Sequence, residues 1–174
     1  RGAELRGTQR HVWPEHGPGT GPRGRLAEGL ELNVGDQLVA VNKDVTQDHV
    51  ERYARASGDF NPIHLDAKFA AGSQFGSRIA HGMMVAATIS EMMTLAFGSA
   101  WADAGRMKIK FRSPVYPGDR ITAAGQVKSV RETEYGMEIV CAIGIARGSG
   151  ELAISGDASV TLSAEWKQAL LWSR

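Results

Sequence analysis

The chain has 174 residues, with 20 Lys+Arg against 19 Asp+Glu and a formal net charge of +1. That length is one domain plus an extension, and the charge balance carries no footprint of a nucleic-acid binder. The single cysteine, Cys141, cannot close an intrachain disulfide, so a reducing, cytoplasmic setting is expected.

Residues 1–29 hold seven of the 21 glycines, three prolines and five arginines, with no apolar run longer than two. The run Gly17-Pro18-Gly19-Thr20-Gly21-Pro22 can continue neither a helix nor a central strand, and no apolar signal-peptide core is read there. This segment reads as an arm that is draped or flexible. If it covers a site or a partner subunit, His11 and Trp13 are its anchors. A domain is expected over 30–165, followed by a short tail, 166–174.

Within the domain, Leu38 to Val41 reads as a short strand. A helix is expected from Gln47, with Thr46 as N-cap, Val45 stapling onto Val50, and Val50, Tyr53 and Ala54 sharing a face. Gly58 stops it. After a loop comes the longest apolar stretch, Ile79 to Phe97. His81, Gly82 and Glu91 interrupt it, so it is not a membrane span. Apolar nearly all round, it is expected to be a buried central helix wrapped by something larger. The period then changes. Met107, Ile109 and Phe111 alternate with Lys108, Lys110 and Arg112, the mark of a half-buried strand. Pro114 and Pro117-Gly118-Asp119 end it in a turn. Ile121–Val130, Glu138–Ala146 and Ala153–Leu162 are three more strands, with turns at Glu134-Tyr135-Gly136 and Gly148-Ser149-Gly150. Strands segregated from a long helix imply an α+β fold with an antiparallel sheet.

Chemistry concentrates in Ala56-Ser57-Gly58-Asp59-Phe60-Asn61-Pro62-Ile63-His64. Gly58 frees the backbone to turn and Pro62 stiffens it. Asn61 can bond local backbone. A rigid loop presenting the Asp59 carboxylate and the His64 imidazole can take a proton at one group and deliver one at the other. The second segment, Ile79-Ala80-His81-Gly82-Met83, opens the long helix. The unpaired amide of Gly82 there can polarise a thioester carbonyl and stabilise the enolate that follows. A metal would need Asp59, His64 and His81 to converge. The 17-residue gap between the histidines does not resemble a zinc spacing, so no metal is expected. His81 reads as a residue bonding backbone, and Glu91 as exposed. Met83, Met84, Met92 and Met93 read as core or as the lining of an apolar channel, and Cys141 as inert core. Lys108, Lys110 and Arg112 form either a solvated face or a contact for phosphate groups.

The run Tyr53-Ala54-Arg55-Ala56-Ser57-Gly58-Asp59-Phe60-Asn61-Pro62-Ile63-His64 is followed by Phe75-Gly76-Ser77-Arg78-Ile79-Ala80-His81-Gly82-Met83. Together they resemble MaoC-like (R)-specific enoyl-CoA hydratases over roughly residues 30–163, including the turn Ser113-Pro114-Val115-Tyr116-Pro117-Gly118-Asp119. The resemblance implies a single hot-dog fold, an antiparallel sheet wrapped around a long central helix. It implies reversible hydration of trans-2-enoyl-CoA to the (R)-3-hydroxyacyl-CoA, with Asp59 as base toward water and His64 as donor to the α-carbon, or the reverse. Asn61 and Ser90 are implied supports and Gly82 the oxyanion donor. Phe60, Arg78 and Met83 are candidates for substrate contact, Arg78 standing where proline is common in the family. Branched, dicarboxylic or acyl-carrier-protein thioesters are alternative substrates; a hot-dog thioesterase or a non-catalytic acyl-thioester module are alternative functions. A homodimer or higher homo-oligomer is implied, with no nucleic-acid or membrane partner and no cofactor beyond the coenzyme A of the substrate.

Overall fold

The computed structural model describes residues 32–163. The expected N-terminal arm, with His11 and Trp13, and the tail 166–174 lie outside the described residues. The described elements run β1 (Val41–Asp44), α1 (Gln47–Ser57), α2 (Pro62–Leu65), α3 (Ala67–Ala71), α4 (Gly82–Phe97), α5 (Ser99–Ala104), β2 (Arg106–Phe111), β3 (Arg120–Thr133), β4 (Gly136–Arg147) and β5 (Leu152–Leu162). The strands form one antiparallel sheet in the order β1-β3-β4-β5-β2. The α+β expectation therefore holds, and the three long strands fall within two or three residues of where alternation places them.

The sheet has one apolar face. Ile121, Ala123 and Val127 on β3, Ile139, Cys141, Ile143 and Ile145 on β4, and Ile154, Ala158 and Val160 on β5 are all buried. The period of two aligns them on the side where α4 lies. Val85, Ile89, Met92, Met93 and Phe97 of that helix complete the same core. Hairpin pairing runs from Thr133↔Gly136 to Ile121↔Arg147, broken by one register shift between Val127 and Ser129. The shift inserts Lys128 and lets Val130 oppose Ile139 again.

Four expectations need correction. The first strand is Val41–Asp44, not Leu38–Val41. Residues before it touch β3 through scattered bonds outside a regular ladder, Gly35 N–H to Val127 O, Val127 N–H to Asp36 O, Leu38 N–H to Gly125 O and the Gln37↔Gln126 bridge, and Gly35 at φ 100° turns the chain there. The long helix starts at Gly82, not Ile79. The amides of Ile79 and Ala80 are bonded instead to Ile63 O and Val115 O, which holds that stretch extended. The helix is also not covered all round: Met83 and Leu95 are 57% and 62% exposed, since the sheet packs on one side of it. Phe111 leaves the inward alternation of β2 and is 55% exposed. Its ring lies instead against Gly82.

Candidate active site

Helix α1 begins as expected, with the Thr46 hydroxyl accepting from His49 N–H, and ends at Gly58 in the left-handed conformation, φ 75°. That reversal aims the next residues back across the molecule. Asp59 Oδ1 accepts the amide of Asn61 at 3.2 Å, and Asn61 Oδ1 accepts the amide of Ile63 at 3.1 Å. Asn61 thereby caps the short helix α2, whose first position is Pro62, a residue suited to a helix start. Gln47 of α1 donates to His64 O at 3.1 Å and ties the two helices together.

His64 is buried in this frame. Its Nδ1 lies 2.8 Å from Ile79 O. A carbonyl only accepts, so Nδ1 carries the proton and Nε2 is the working nitrogen. Nε2 faces Asp59 Oδ2 at 4.0 Å, with the carboxylate half exposed. That distance is beyond a direct hydrogen bond. The two groups can therefore address different atoms of one water or substrate.

His81 stands on the other side of Asp59. It is 2% exposed. Its ring stacks on His64 with centroids 3.8 Å apart and tilts against Tyr53 at 4.9 Å. Its Nε2 donates to the backbone carbonyl of Asp59 at 2.9 Å. The backbone partner expected for His81 is thus 22 residues away, not local. Asp59, His64 and His81 do converge, each with a potential ligand atom within 4.8 Å of the others, which the 17-residue gap did not reveal.

Gly82 follows His81 directly and opens α4. His81 makes no side-chain cap bond there, so the first amides of the helix keep their donor capacity. A Cβ on Gly82 would sit 2.9 Å from the Phe111 ring. The missing side chain keeps this approach narrow but open.

His64 and Gly82 both line a cavity of about 330 Å³. Its other walls include Phe75, Ile79, Val85, Phe111, Pro114 and Ile154, with Arg112 and Ser113 among the polar contributors. Mostly apolar walls with few polar groups suit an acyl chain. The Ser113–Asp119 turn buttresses it. Ala80 N–H donates to Val115 O at 2.7 Å, and Tyr116 Oη donates to Phe75 O at 3.3 Å. Asp119 accepts from Tyr116 N–H and from Arg147 Nε, both at 2.8 Å. Arg147, which also lies over the Tyr116 ring, is held above its usual basicity mainly by that bond to Asp119.

The sequence candidates divide accordingly. Asp59, Asn61, His64 and Gly82 come together at the joint of α1, α2 and α4. Ser90 lies two turns along α4, about 12 Å from Gly82 at 1.5 Å per residue, and its Oγ accepts from Trp101 Nε1 at 2.8 Å. Phe60 and Met83 are exposed and Arg78 half-buried, and none of the three lines the cavity. Sequence reasoning did not single out Phe75, Val85 or Ile154 as cavity walls, nor Phe111. These apolar residues carry no signal that separates wall from core.

The MaoC-like domain model matches residues 31–144. The chain belongs to the MaoC-like family. A curated relative, the (R)-specific enoyl-CoA hydratase of Aeromonas caviae, is 34% identical over 136 residues, covering 78% of this chain and 98% of the relative. The 3-hydroxybutyryl-CoA dehydratase of Methylorubrum extorquens is 30% identical over 133 residues, covering 76% and 81%. The solved (R)-hydratase of A. caviae involved in PHA biosynthesis superposes with a TM-score of 0.66 at 30% identity, over 76% of this chain and 98% of that one. The MaoC-like protein described here is accordingly a single hot-dog fold and a hydro-lyase, an enzyme that adds or removes water.

Proposed function

We propose that the chain hydrates trans-2-enoyl-CoA reversibly to (R)-3-hydroxyacyl-CoA. The observation that carries this reading is the Asp59–His64 pair, 4.0 Å apart, beside the Gly82 helix start, with His64 and Gly82 sharing one apolar cavity. Asp59 takes a proton from water as the water oxygen bonds to the β-carbon. The electron pair of the double bond moves onto the thioester oxygen, where the Gly82 amide stabilises it. His64 delivers a proton from Nε2 to the α-carbon. To do so the ring must be doubly protonated, Nδ1 staying on Ile79 O, and the Asp59 carboxylate offsets that charge. Passing the proton from Asp59 back to His64 resets the pair, which acts as one coupled unit.

Coenzyme A enters as part of the substrate and no further cofactor is invoked. Arg112 lines the cavity and is suited to its phosphates, whereas Lys108 and Lys110 are exposed on β2 and do not line the cavity. A second reading, an acyl-carrier-protein thioester, is supported by a relative named mitochondrial 3-hydroxyacyl-[acyl-carrier-protein] dehydratase from Arabidopsis thaliana, 34% identical over 110 residues. A dicarboxylic substrate has less support, because Arg78 does not line the cavity. Among the described residues the sheet ends in two open edges, β1 and β2, and open edges favour pairing with a second copy; a homodimer is proposed, for which sedimentation at micromolar concentration is the check. A cytoplasmic location fits the single buried thiol. Among the described residues no helix is long and apolar enough to cross a membrane.

The test is loss of the absorbance of a conjugated enoyl thioester over a panel of chain lengths, on CoA and on carrier protein. Asp59→Ala and His64→Ala should each lower the rate by at least ~10². Full activity in both variants overturns the roles, and release of free thiol in place of hydration points to a thioesterase.

A further inference from the structure

We propose that His81 is a positioning residue for the Asp59–His64 pair. It would fix the Asp59 backbone and the plane of the His64 ring against the helix start that carries Gly82. The proposal rests on the assignment of Asp59 and His64 given above.

Three observations converge on it. First, His81 stands at the N-cap of α4 but makes no cap bond. Ser, Thr, Asp or Asn is the ordinary choice there, so helix capping does not account for the imidazole. Second, the ring instead reaches Asp59. Its Nε2 donates to the Asp59 carbonyl at 2.9 Å, and the same nitrogen lies 4.0 Å from Asp59 Oδ2. A carbonyl accepts only, so the proton is on Nε2 and Nδ1 is a bare acceptor. That Nδ1 is buried and has no partner among the described residues. An unmatched buried acceptor is unfavourable; this one is tolerated where the other nitrogen holds a catalytic loop. Third, the ring stacks on His64 at 3.8 Å. His64 is otherwise oriented by one bond, Nδ1 to Ile79 O, about which the ring can still rock. The His81 face removes that freedom.

His81 and Gly82 are adjacent in the chain. One residue therefore couples the carboxylate, the imidazole and the oxyanion amide, which come from separate elements. Asp59 needs such a tie because its own side chain is half exposed and, among the described residues, accepts only the amide of Asn61, with the two imidazoles 4.0 Å away. Reacting groups displaced by about 1 Å can lose on the order of 10²-fold in rate. A positioning role should appear in kcat and leave KM nearly unchanged, because the lost geometry matters in the transition state and the cavity that binds the acyl chain is untouched.

Two variants of the full chain separate the hydrogen bond from the ring. His81→Phe keeps an aromatic face on His64 and removes the donor; His81→Gln keeps a donor and removes the face. Expected is a fall in kcat of about 10²-fold for His81→Phe with KM within about threefold. His81→Gln is expected to recover kcat to within about tenfold of the parent. A Phe variant within about twofold of the parent in kcat overturns the proposal. So does a Gln variant no faster than the Phe variant, or a rise in KM at constant kcat. Imidazole nitrogen NMR of the unaltered protein gives a readout independent of turnover and of whether His81→Phe folds. His81 should carry its proton on Nε2, and a proton on Nδ1 overturns the proposal. If the parent protein hydrates no enoyl thioester, the function reading fails, while the NMR result still judges the placement of His81.

Discussion

The sheet β3–β5 and the segment from Gly58 to Gly82 are built in opposite ways. In the sheet, support is redundant. Ile143 sits between β3 and β5, paired to Gly125 on one side and Gly156 on the other, and is buried against an apolar cluster drawn from every strand and from α4. In the Gly58–Gly82 segment, support is serial. Asp59 accepts from Asn61, Asn61 caps α2, α2 carries His64, and His64 leans on Ile79 O. Each of these bonds is single, and the cross-ties are few, Gln47 to His64 O and His81 to Asp59 O. The sheet spends its apolar surface on stability, and the loop spends polar contacts on aim. Damage to the two regions should therefore register in different measurements.

Asp59→Asn is the sharpest way to break this contrast, and the largest effect expected. The carboxamide keeps an oxygen for the Asn61 amide but cannot take a proton. The rate should fall by about 10³-fold, roughly 4 kcal/mol of transition-state stabilisation, with folding stability unchanged within about 0.5 kcal/mol because the side chain is half exposed. Enoyl-thioester hydration kinetics and thermal melting of the same sample check both halves. Ile143→Ala should do the reverse. Removing a buried Ile side chain costs about 2–5 kcal/mol, lowering the melting temperature by roughly 5–15 °C for a chain of this size. Its kcat per folded molecule should stay within about twofold. If Ile143→Ala slows the folded enzyme as Asp59→Asn does, sheet and loop are not separable in this way.

The same contrast explains what could be read from the residues. Strands β3–β5 announce themselves because alternation repeats over ten or more positions, so individual exceptions average out. Thr46 and Gly58 were legible because N-cap and left-handed C-cap chemistry is local. The Asp59–His64 loop was legible from residue types at short range. What lies beyond local pattern was not. Helices α2, α3 and α5 have four to six residues, too few for a 3.6-residue period to register. The exposed face of α4 depends on how far the sheet curls. Phe111 turns outward at the end of its strand, where Arg112 and Ser113 both donate to Ala153 O, and no property of a phenylalanine foretells that. The bond between His81 and Asp59 spans 22 residues, and only the packed fold brings them together.

Cys141 sharpens the sheet side. It is fully buried, and burial pushes its thiol up from 9.0 to about 11. The folded state therefore holds this proton more tightly than the unfolded state. The associated stability is complete below pH 9.0 and is lost as pH rises toward 11, up to about 3 kcal/mol at 1.36 kcal/mol per unit. Denaturant midpoints measured across that window should fall in the parent protein. In Cys141→Ala this component of the slope should vanish. An unchanged slope in the variant would show that the thiol does not carry it.

Asn61 gives the finest test of the loop. Its Oδ1 caps α2 at an exposed position. Losing an N-cap costs about 1 kcal/mol, which in a sheet residue would pass unnoticed in the rate. Here the cap sits between Asp59 and His64, so Asn61→Ala should also lower kcat, by about tenfold. Asn61→Asp separates the two consequences. A carboxylate caps as well as an amide does, so the melting temperature should recover. The added negative charge lies two residues from Asp59 and three from His64, and it alters the electrostatics of proton transfer. The rate should therefore stay depressed while stability returns. If Asn61→Asp restores both together, the cap alone positions His64, and charge near the pair matters little. If Asn61→Ala changes melting and leaves kcat untouched, the serial chain of hydrogen bonds is not what aims the imidazole, and the Ile79 carbonyl and the packing around His64 suffice.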